Sequence, residues 1–450
     1  MQEVPGELSP PAMEEEAVDH LYRSLWAERV GRVKAIKVFS TCRCDDVGKI
    51  KNFREMPVEK ESGFITILLR DYMGGVYYNS LNLAALLADK GWLSSFILTE
   101  QTDRPSGAKI SDLADFNSRL FTFSAADNKR HLFRKLAGMI PEASNVLILN
   151  DFLEYRLVTH RPFHQKVIGI VHGDYDYYYE LASSSESRID HFVCVSPSIA
   201  AKLSGLIPHR KNDIVFIPSL VPDFHVNRME ATGVGLRILF VGRLTPEKGF
   251  DLLPLIDREM KQRGIHCQWT IVAPHTTDLY DEWLHEPAVQ YHDRIANKAM
   301  PPVYARQDVL LLPSHAEGFP LSILEAMKCG VVPVVTNLPT LAGELVNDRK
   351  NGFLFPLNDI PAICAILTRL NEDRPLLKQT AEQAVAHAST HFGEAALREK
   401  WMELLNREQS GKDLVRPVDS IYDRMDLPWL PNAVTRGIRK LKTGRRGRDR

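Results

Sequence analysis

The sequence predicts an α/β protein made of two doubly wound parallel sheets, and three observations carry that expectation. With 450 residues the chain exceeds what one ordinary hydrophobic core organises, so two domains are the default. Short apolar runs at 65–69, 146–150, 167–171, 238–241 and 309–312 have the composition of strands buried on both faces, and each leads into a turn or polar loop. Between 219 and 235 the periodicity lapses into a stretch punctuated by proline and glycine, which reads as the linker.

Composition limits the class of function. Lysine plus arginine number 56 against 57 acidic residues, a net charge of −1, so no nucleic-acid partner is expected. The longest apolar runs fall far short of a bilayer span and the first thirty residues are acidic without a signal-peptide core, so a cytoplasmic protein is expected. The cysteines at 42, 44, 194, 267, 329 and 364 form no disulfide framework. Cys42 and Cys44 lack a second pair at zinc-site spacing, and neither a metal nor a resident cofactor is expected.

Residues 1–60 read as a partly disordered extension rich in glutamate and proline, with a strand-like run at 33–39 and no assignable chemistry. A first domain is expected over 61–220. Its run at 65–69 leads through Arg70, Asp71, Tyr72 and Met73 to Gly74 and Gly75, then to a helix marked by Leu83, Leu86 and Leu87 that ends near Gly91. The two glycines either let the backbone approach a ligand at the carboxyl edge of the sheet or make a merely structural turn; the dinucleotide fingerprint is missing. The run at 167–171 leads directly into His172, which stands at the same edge as either a ligand contact or a hydrogen-bonded wall residue. The tyrosines among 175–179 read as packing and surface contacts. Ser196 caps a helix that starts at Pro197.

A second domain is expected over 236–390. After the run at 238–241 come Gly242, Arg243, Leu244, Thr245, Pro246, Glu247, Lys248 and Gly249. An arginine and a lysine beside a glycine turn suit a diphosphate, which arginine grips bidentately and lysine meets as a point charge. Further on, the run at 309–312 ends at Pro313, and Ser314 to Gly318 has loop chemistry. Pro320 is expected in the first turn of a helix, with Leu321, Leu324 and Met327 on its apolar stripe and Gly330 as its cap. Glu317 then lies in the loop, and Glu325, after seven intervening residues, about two turns along the helix. The amides of Phe319, Leu321 and Ser322 would emerge from the helix N-terminus, a natural seat for an anion.

With both motifs in view, the chain resembles the retaining glycosyltransferases of family 4, which have the GT-B fold: two Rossmann-like doubly wound domains facing across a cleft. The resemblance runs from about Phe64 to Leu405 and rests on FVGRLTPEKG at 240–249 and PSHAEGFPLSILEAMKCGVVPVV at 313–335, with support from MGG at 73–75, His172 and VCVSPSIAAKL at 193–203. It implies a metal-independent reaction that retains anomeric configuration and uses a nucleotide-diphosphate sugar, such as a UDP- or GDP-sugar, as co-substrate. Arg243 and Lys248 would hold the diphosphate, Glu325 the ribose diol, and Glu317 with the amides of Gly318 and Phe319 the sugar hydroxyls. Gly74, Gly75 and Gly242 would admit the phosphates, and His172 would face the sugar. The acceptor would be a glycan, a lipid-linked sugar or a small molecule. Departures occur at Ala273 and Pro274, at 291–295 where the usual glycine is missing, and at Gly343, so neither base nor sugar is named.

A crossover helix over 391–408 is expected to return to the first domain through Ala396, Trp401, Leu404 and Leu405. The tail over 409–450 is basic, with Val434, Ile438 and Leu441 at helical spacing. Two readings stay open for 434–450, a solvated tail or a peripheral contact with anionic lipid on the inner membrane face. The alternatives to transfer are a nucleotide-sugar epimerase, a phosphorylase or a non-catalytic binding protein.

Overall fold

The computed structural model describes residues 63–70, 74–103, 113, 116–160, 162–224, 226, 235–274, 280–293, 295–410 and 424–446. The amino-terminal extension, Cys42, Cys44, residues 71–73 of the glycine turn and the end of the tail lie outside the described residues.

The first body contains β1 (Phe64–Arg70), α1 (Gly75–Ala88), β2 (Leu93–Gln101), β3 (Asn117–Phe123), α2 (Lys129–Ala137), β4 (Val146–Leu149), α3 (Phe152–His160), β5 (Lys166–Val171), α4 (Asp176–Ser184), β6 (His191–Cys194), α5 (Pro197–Leu206) and β7 (Ile214–Phe216). Its strands form one sheet in the order β3-β2-β1-β4-β5-β6-β7. Every pairing is parallel. β4, β5 and β6 are buried along their whole length, the reason they read as unbroken apolar runs. β3 is exposed along most of its length and carries no such run, which is why the sequence does not announce it. As expected, the Ser196 hydroxyl accepts from the Ile199 amide and caps α5, with Pro197 in the first turn.

The second body contains β8 (Arg237–Val241), α6 (Leu253–Gln262), β9 (Gln268–Val272), α7 (Asp281–Leu284), β10 (Val289–His292), α8 (Met300–Ala305), β11 (Val309–Leu312), α9 (Leu321–Lys328), β12 (Val332–Thr336) and β13 (Phe353–Phe355). Its sheet runs β10-β9-β8-β11-β12-β13, again all parallel. In both sheets the strand order reverses once, between β1 and β4 and between β8 and β11. Those crevices are where open α/β sheets bind ligands.

Three helices complete the second body and return the chain: α10 (Ile360–Glu372), α11 (Arg374–Phe392) and α12 (Glu394–Asn406). The return helix starts three residues later than expected, because Gly393 adopts an extended conformation between α11 and α12. Its buried contacts are Leu397, Trp401, Leu404 and Leu405; Ala396 is only half-buried. α12 packs on α1, and Arg398 reaches Asp89 at 3.0 Å. Each fully buried large side chain contributes on the order of 1.5–3 kcal/mol to holding the crossover in place.

The start of the linker is pinned. Leu220 bonds through its amide to Asn79 at 2.7 Å and through its carbonyl to Asn82 at 2.9 Å, while Lys328 of α9 donates to the Val221 carbonyl at 2.7 Å and pairs with Asp223 at 2.6 Å.

The carboxyl-terminal tail differs from both readings. Residues 432–446 form a helix, α13 (Asn432–Arg446), held against the first body. Buried Asp426 accepts from the Lys129 amide at the start of α2, at 2.7 Å, and pairs with Arg439 at 3.0 Å. The Asn128 amide group donates to the carbonyls of Leu427 and Leu430. Arg436 pairs with Asp127 at 3.2 Å. Arg436 is therefore paired with a carboxylate of the first body and Arg439 with one of the tail itself, and contact of the tail with an anionic membrane gains no support. No helix among the described residues is long and apolar enough to cross a membrane.

Candidate functional site

The crevice of the second sheet is built by two loops. After β8, the chain turns through Gly242 and Arg243 into a short 3-10 turn, Pro246–Lys248. Gly249 ends that turn with a φ of 67°, and a Cβ there would stand 2.0 Å from the Pro313 carbonyl oxygen. Only glycine fits both the left-handed backbone and the crossing of the two loops. After β11, residues 313–320 lead to α9. Pro320 sits at the N-cap, one position before the expected first turn, because its ψ of 113° is extended.

These loops bring Lys248 and Glu317 together. The Lys248 ammonium lies 2.8 Å from Glu317, and both side chains are largely enclosed, at 17% and 9% exposure. Thr340 donates to the Glu317 carbonyl at 2.7 Å and fixes the loop backbone. The amides of Phe319, Leu321 and Ser322 donate to no backbone carbonyl among the described residues, so the entrance of α9 presents free donors. Arg243 is more open and pairs with Glu247 at 3.1 Å.

Glu325 is buried on α9 and accepts a hydrogen bond from the Tyr304 hydroxyl at 2.7 Å. Burial pushes its pKa up to about 7, against the opposing pull of the Tyr304 hydrogen bond. Its charge therefore changes near neutral pH.

The first sheet supplies the opposite wall. Gly74 is the N-cap of α1, and a Cβ on Gly75 would stand 4.0 Å from the Leu321 side chain, which places the glycine turn opposite the entrance of α9. Gly318 lies still closer: a Cβ there would be 2.0 Å from the His172 carbonyl oxygen. The two bodies thus meet backbone to backbone at this point.

His172 is enclosed, and burial drives its pKa down to about 3, so the ring is neutral. Its Nε2 lies 2.9 Å from Asn150 Oδ1, and the Asn150 amide group donates to the Leu68 carbonyl at 2.8 Å. That second bond assigns the Asn150 oxygen as acceptor, so His172 carries its proton on Nε2 and leaves Nδ1 as a free acceptor.

The structure thus brings Lys248 to Glu317 and sets the loop of Gly318 and Leu321 against His172 and Gly75, while Glu325 is buried on α9 against Tyr304. Four more join them without having been expected: Asn150, Glu247, Tyr175 and Tyr304. Asn150 and Glu247 stand within stretches already singled out. The tyrosines carry no local signal. Tyr178 and Tyr179 are buried as expected, whereas the Tyr175 hydroxyl crosses the cleft to Glu247 at 2.9 Å.

Residues 235–373 match the family model described as Glycosyl transferases group 1. The amylovoran biosynthesis glycosyltransferase AmsK of Erwinia amylovora is 30% identical over 196 residues, 41% of this chain and 48% of that protein. An exopolysaccharide phosphotransferase of Streptomyces coelicolor is 28% identical over 218 residues, 46% of this chain and 22% of that protein. The chain thus spans less than half the length of these curated relatives. Among solved structures, HepE of Anabaena in complex with UDP and glucose superposes with a TM-score of 0.62 at 18% identity, covering 76% of this chain and 99% of that one. Residues 235–373 accordingly carry a glycosyl transferases group 1 domain, and the chain around it has the GT-B fold of the glycosyltransferases.

Proposed function

We propose that the chain is a retaining, metal-independent glycosyltransferase that moves a sugar from a nucleotide-diphosphate sugar to an acceptor hydroxyl in polysaccharide assembly. The convergence of Lys248, Glu317 and Arg243 at one crevice, opposite Gly75 and His172, carries this reading. A relative named for amylovoran biosynthesis and a structural neighbour solved with UDP and glucose support the choice of donor and product class.

In this reading the diphosphate lies between Arg243, Lys248 and the entrance of α9. These groups stabilise the negative charge that grows as the bond from the sugar carbon to the phosphate oxygen breaks. The acceptor oxygen attacks from the same face, its bond to the sugar carbon forms, and its proton passes to the departing phosphate oxygen. Glu317, already held by Lys248, orients the sugar hydroxyls. Glu325 receives the ribose diol, and His172 offers Nδ1 to a donor or acceptor hydroxyl.

The test is release of free nucleotide from a panel of nucleotide sugars, with and without glycan acceptors, by the full chain and by Lys248→Ala and Glu317→Ala. Transfer by the full chain that both variants lose supports the reading; unimpaired turnover in both overturns it. Activity that vanishes with a chelator and returns with a divalent ion would refute metal independence.

A further inference from the structure

Glu247 does more than pair with Arg243. One oxygen lies 3.1 Å from the Arg243 guanidinium, and the other accepts from the Tyr175 hydroxyl at 2.9 Å. Its backbone carbonyl accepts from the His315 amide at 2.9 Å, which ties the turn to the loop that carries Glu317. One residue thus joins Arg243, the β11 loop and the first body.

Tyr175 is built to reach across. It is the N-cap residue of α4, and its ring lies where a Cβ on Gly173 would stand, 2.7 Å away. Glycine at 173 leaves the room that the ring needs. Burial and the Glu247 carboxylate hold the phenol well above its ordinary pKa, so it stays a proton donor. Glu247 is held below the usual carboxylate range despite partial burial, by the Tyr175 hydrogen bond and by Arg243, so it stays ionised.

We propose that Glu247 and Tyr175 are positioning residues for Arg243, through which the first body sets how strongly the second grips a diphosphate. The proposal rests on the reading of Arg243 as a diphosphate ligand. Glu247 orients the guanidinium but also competes with phosphate for it, as any carboxylate beside an anion site does. The hydrogen bond from Tyr175 takes up part of that carboxylate's charge and fixes its direction. The pairing exists only where the two bodies stand close enough for a phenol to span them, so phosphate affinity is coupled to closure of the cleft.

The experiment is calorimetric titration of ADP, GDP, UDP, CDP and dTDP into the full chain and into Tyr175→Phe, Glu247→Gln and the double variant. The matching monophosphates serve as controls, with thermal transitions recorded for each protein. Tyr175→Phe is expected to weaken the preferred diphosphate about three- to tenfold, the effect of losing one hydrogen bond to a charged group, while leaving the monophosphate unchanged. Glu247→Gln keeps an oxygen for the phenol and removes the competing charge, so it binds diphosphate as tightly as the parent or tighter. The double variant follows Glu247→Gln, because the phenol then has no charge to compensate. Equal diphosphate affinity for the parent and Tyr175→Phe, or the same loss in both backgrounds, overturns the proposal. A parent chain that binds diphosphate no better than monophosphate removes the donor-site reading itself, and the proposal with it.

Discussion

The two crevices share a topology and differ in chemistry. The one between β8 and β11 concentrates charge: Arg243, Lys248, Glu247, Glu317 and, deeper, Glu325. The one between β1 and β4 offers a glycine turn, a histidine that burial keeps neutral and, at its edge, one ion pair, Arg70 with Asp151 at 3.6 Å. On the proposed function, the crevice with the denser charge would hold the anionic leaving group, and the other would receive an uncharged hydroxyl. The contrast also explains why the second domain announces itself. Groups suited to phosphate are few residue types at short spacing, whereas groups suited to a hydroxyl also occur in ordinary cores.

The largest expected effect comes from removing charge at the second crevice. Lys248→Ala should lower transfer by about 10²–10³-fold, the range for losing a group that meets developing negative charge. It should also cost about 3–5 kcal/mol of stability, because Glu317 is left largely enclosed without its partner. Transfer assays beside thermal unfolding separate the two effects, and an unchanged rate would mean that the charge is not used.

Next comes the contact between the crevices. Gly318→Ala places a Cβ against the His172 carbonyl, so the loops must part by an ångström or more. A tenfold to hundredfold loss of transfer is expected, since misplacement by about 1 Å costs about that much. Binding of the nucleotide alone should change far less. Equal losses in both would place the contact outside the reaction.

Glu325 should act through pH. On the proposed function, contact with the ribose diol would favour its carboxylate form, so nucleotide affinity should fall as pH drops through about 7. Glu325→Gln should weaken binding about tenfold at pH 8 and flatten the dependence. Without nucleotide the sign reverses. A carboxyl whose folded-state pKa is raised contributes stability at low pH that is lost as pH rises through about 7, so the free chain should unfold more easily at pH 8 than at pH 6. Calorimetry at the two values checks both signs.

His172 should have the smallest effect of all on pH dependence. With its pKa driven down to about 3, it should contribute no inflection to transfer between pH 5 and 8. An inflection removed by His172→Asn would show that the ring titrates in that range.

Much of this was legible in the residues. Buried strands such as β5 and β11 are continuous apolar runs, and the glycines at 74, 75, 242 and 249 punctuate the turns after β1 and β8. Where the signal was weak, the reason is long range. β3 lies at a sheet edge and alternates too little to stand out. Tyr304 serves Glu325 from another helix, and Tyr175 serves Glu247 from the other body. The docking of α13 depends on Asn128 and Lys129, whose partners Leu427, Asn432 and Asp426 lie about three hundred positions away in sequence. Periodicity carries no information about such pairs, so a basic helix bound to the fold reads as a free tail.

A crystal structure of the chain grown with its preferred nucleoside diphosphate tests the central claim most directly. The account predicts the diphosphate within hydrogen-bonding distance of Arg243, Lys248 and the amides at the entrance of α9, with the ribose against Glu325. A diphosphate seated against the first sheet, or touching neither cation, would contradict it.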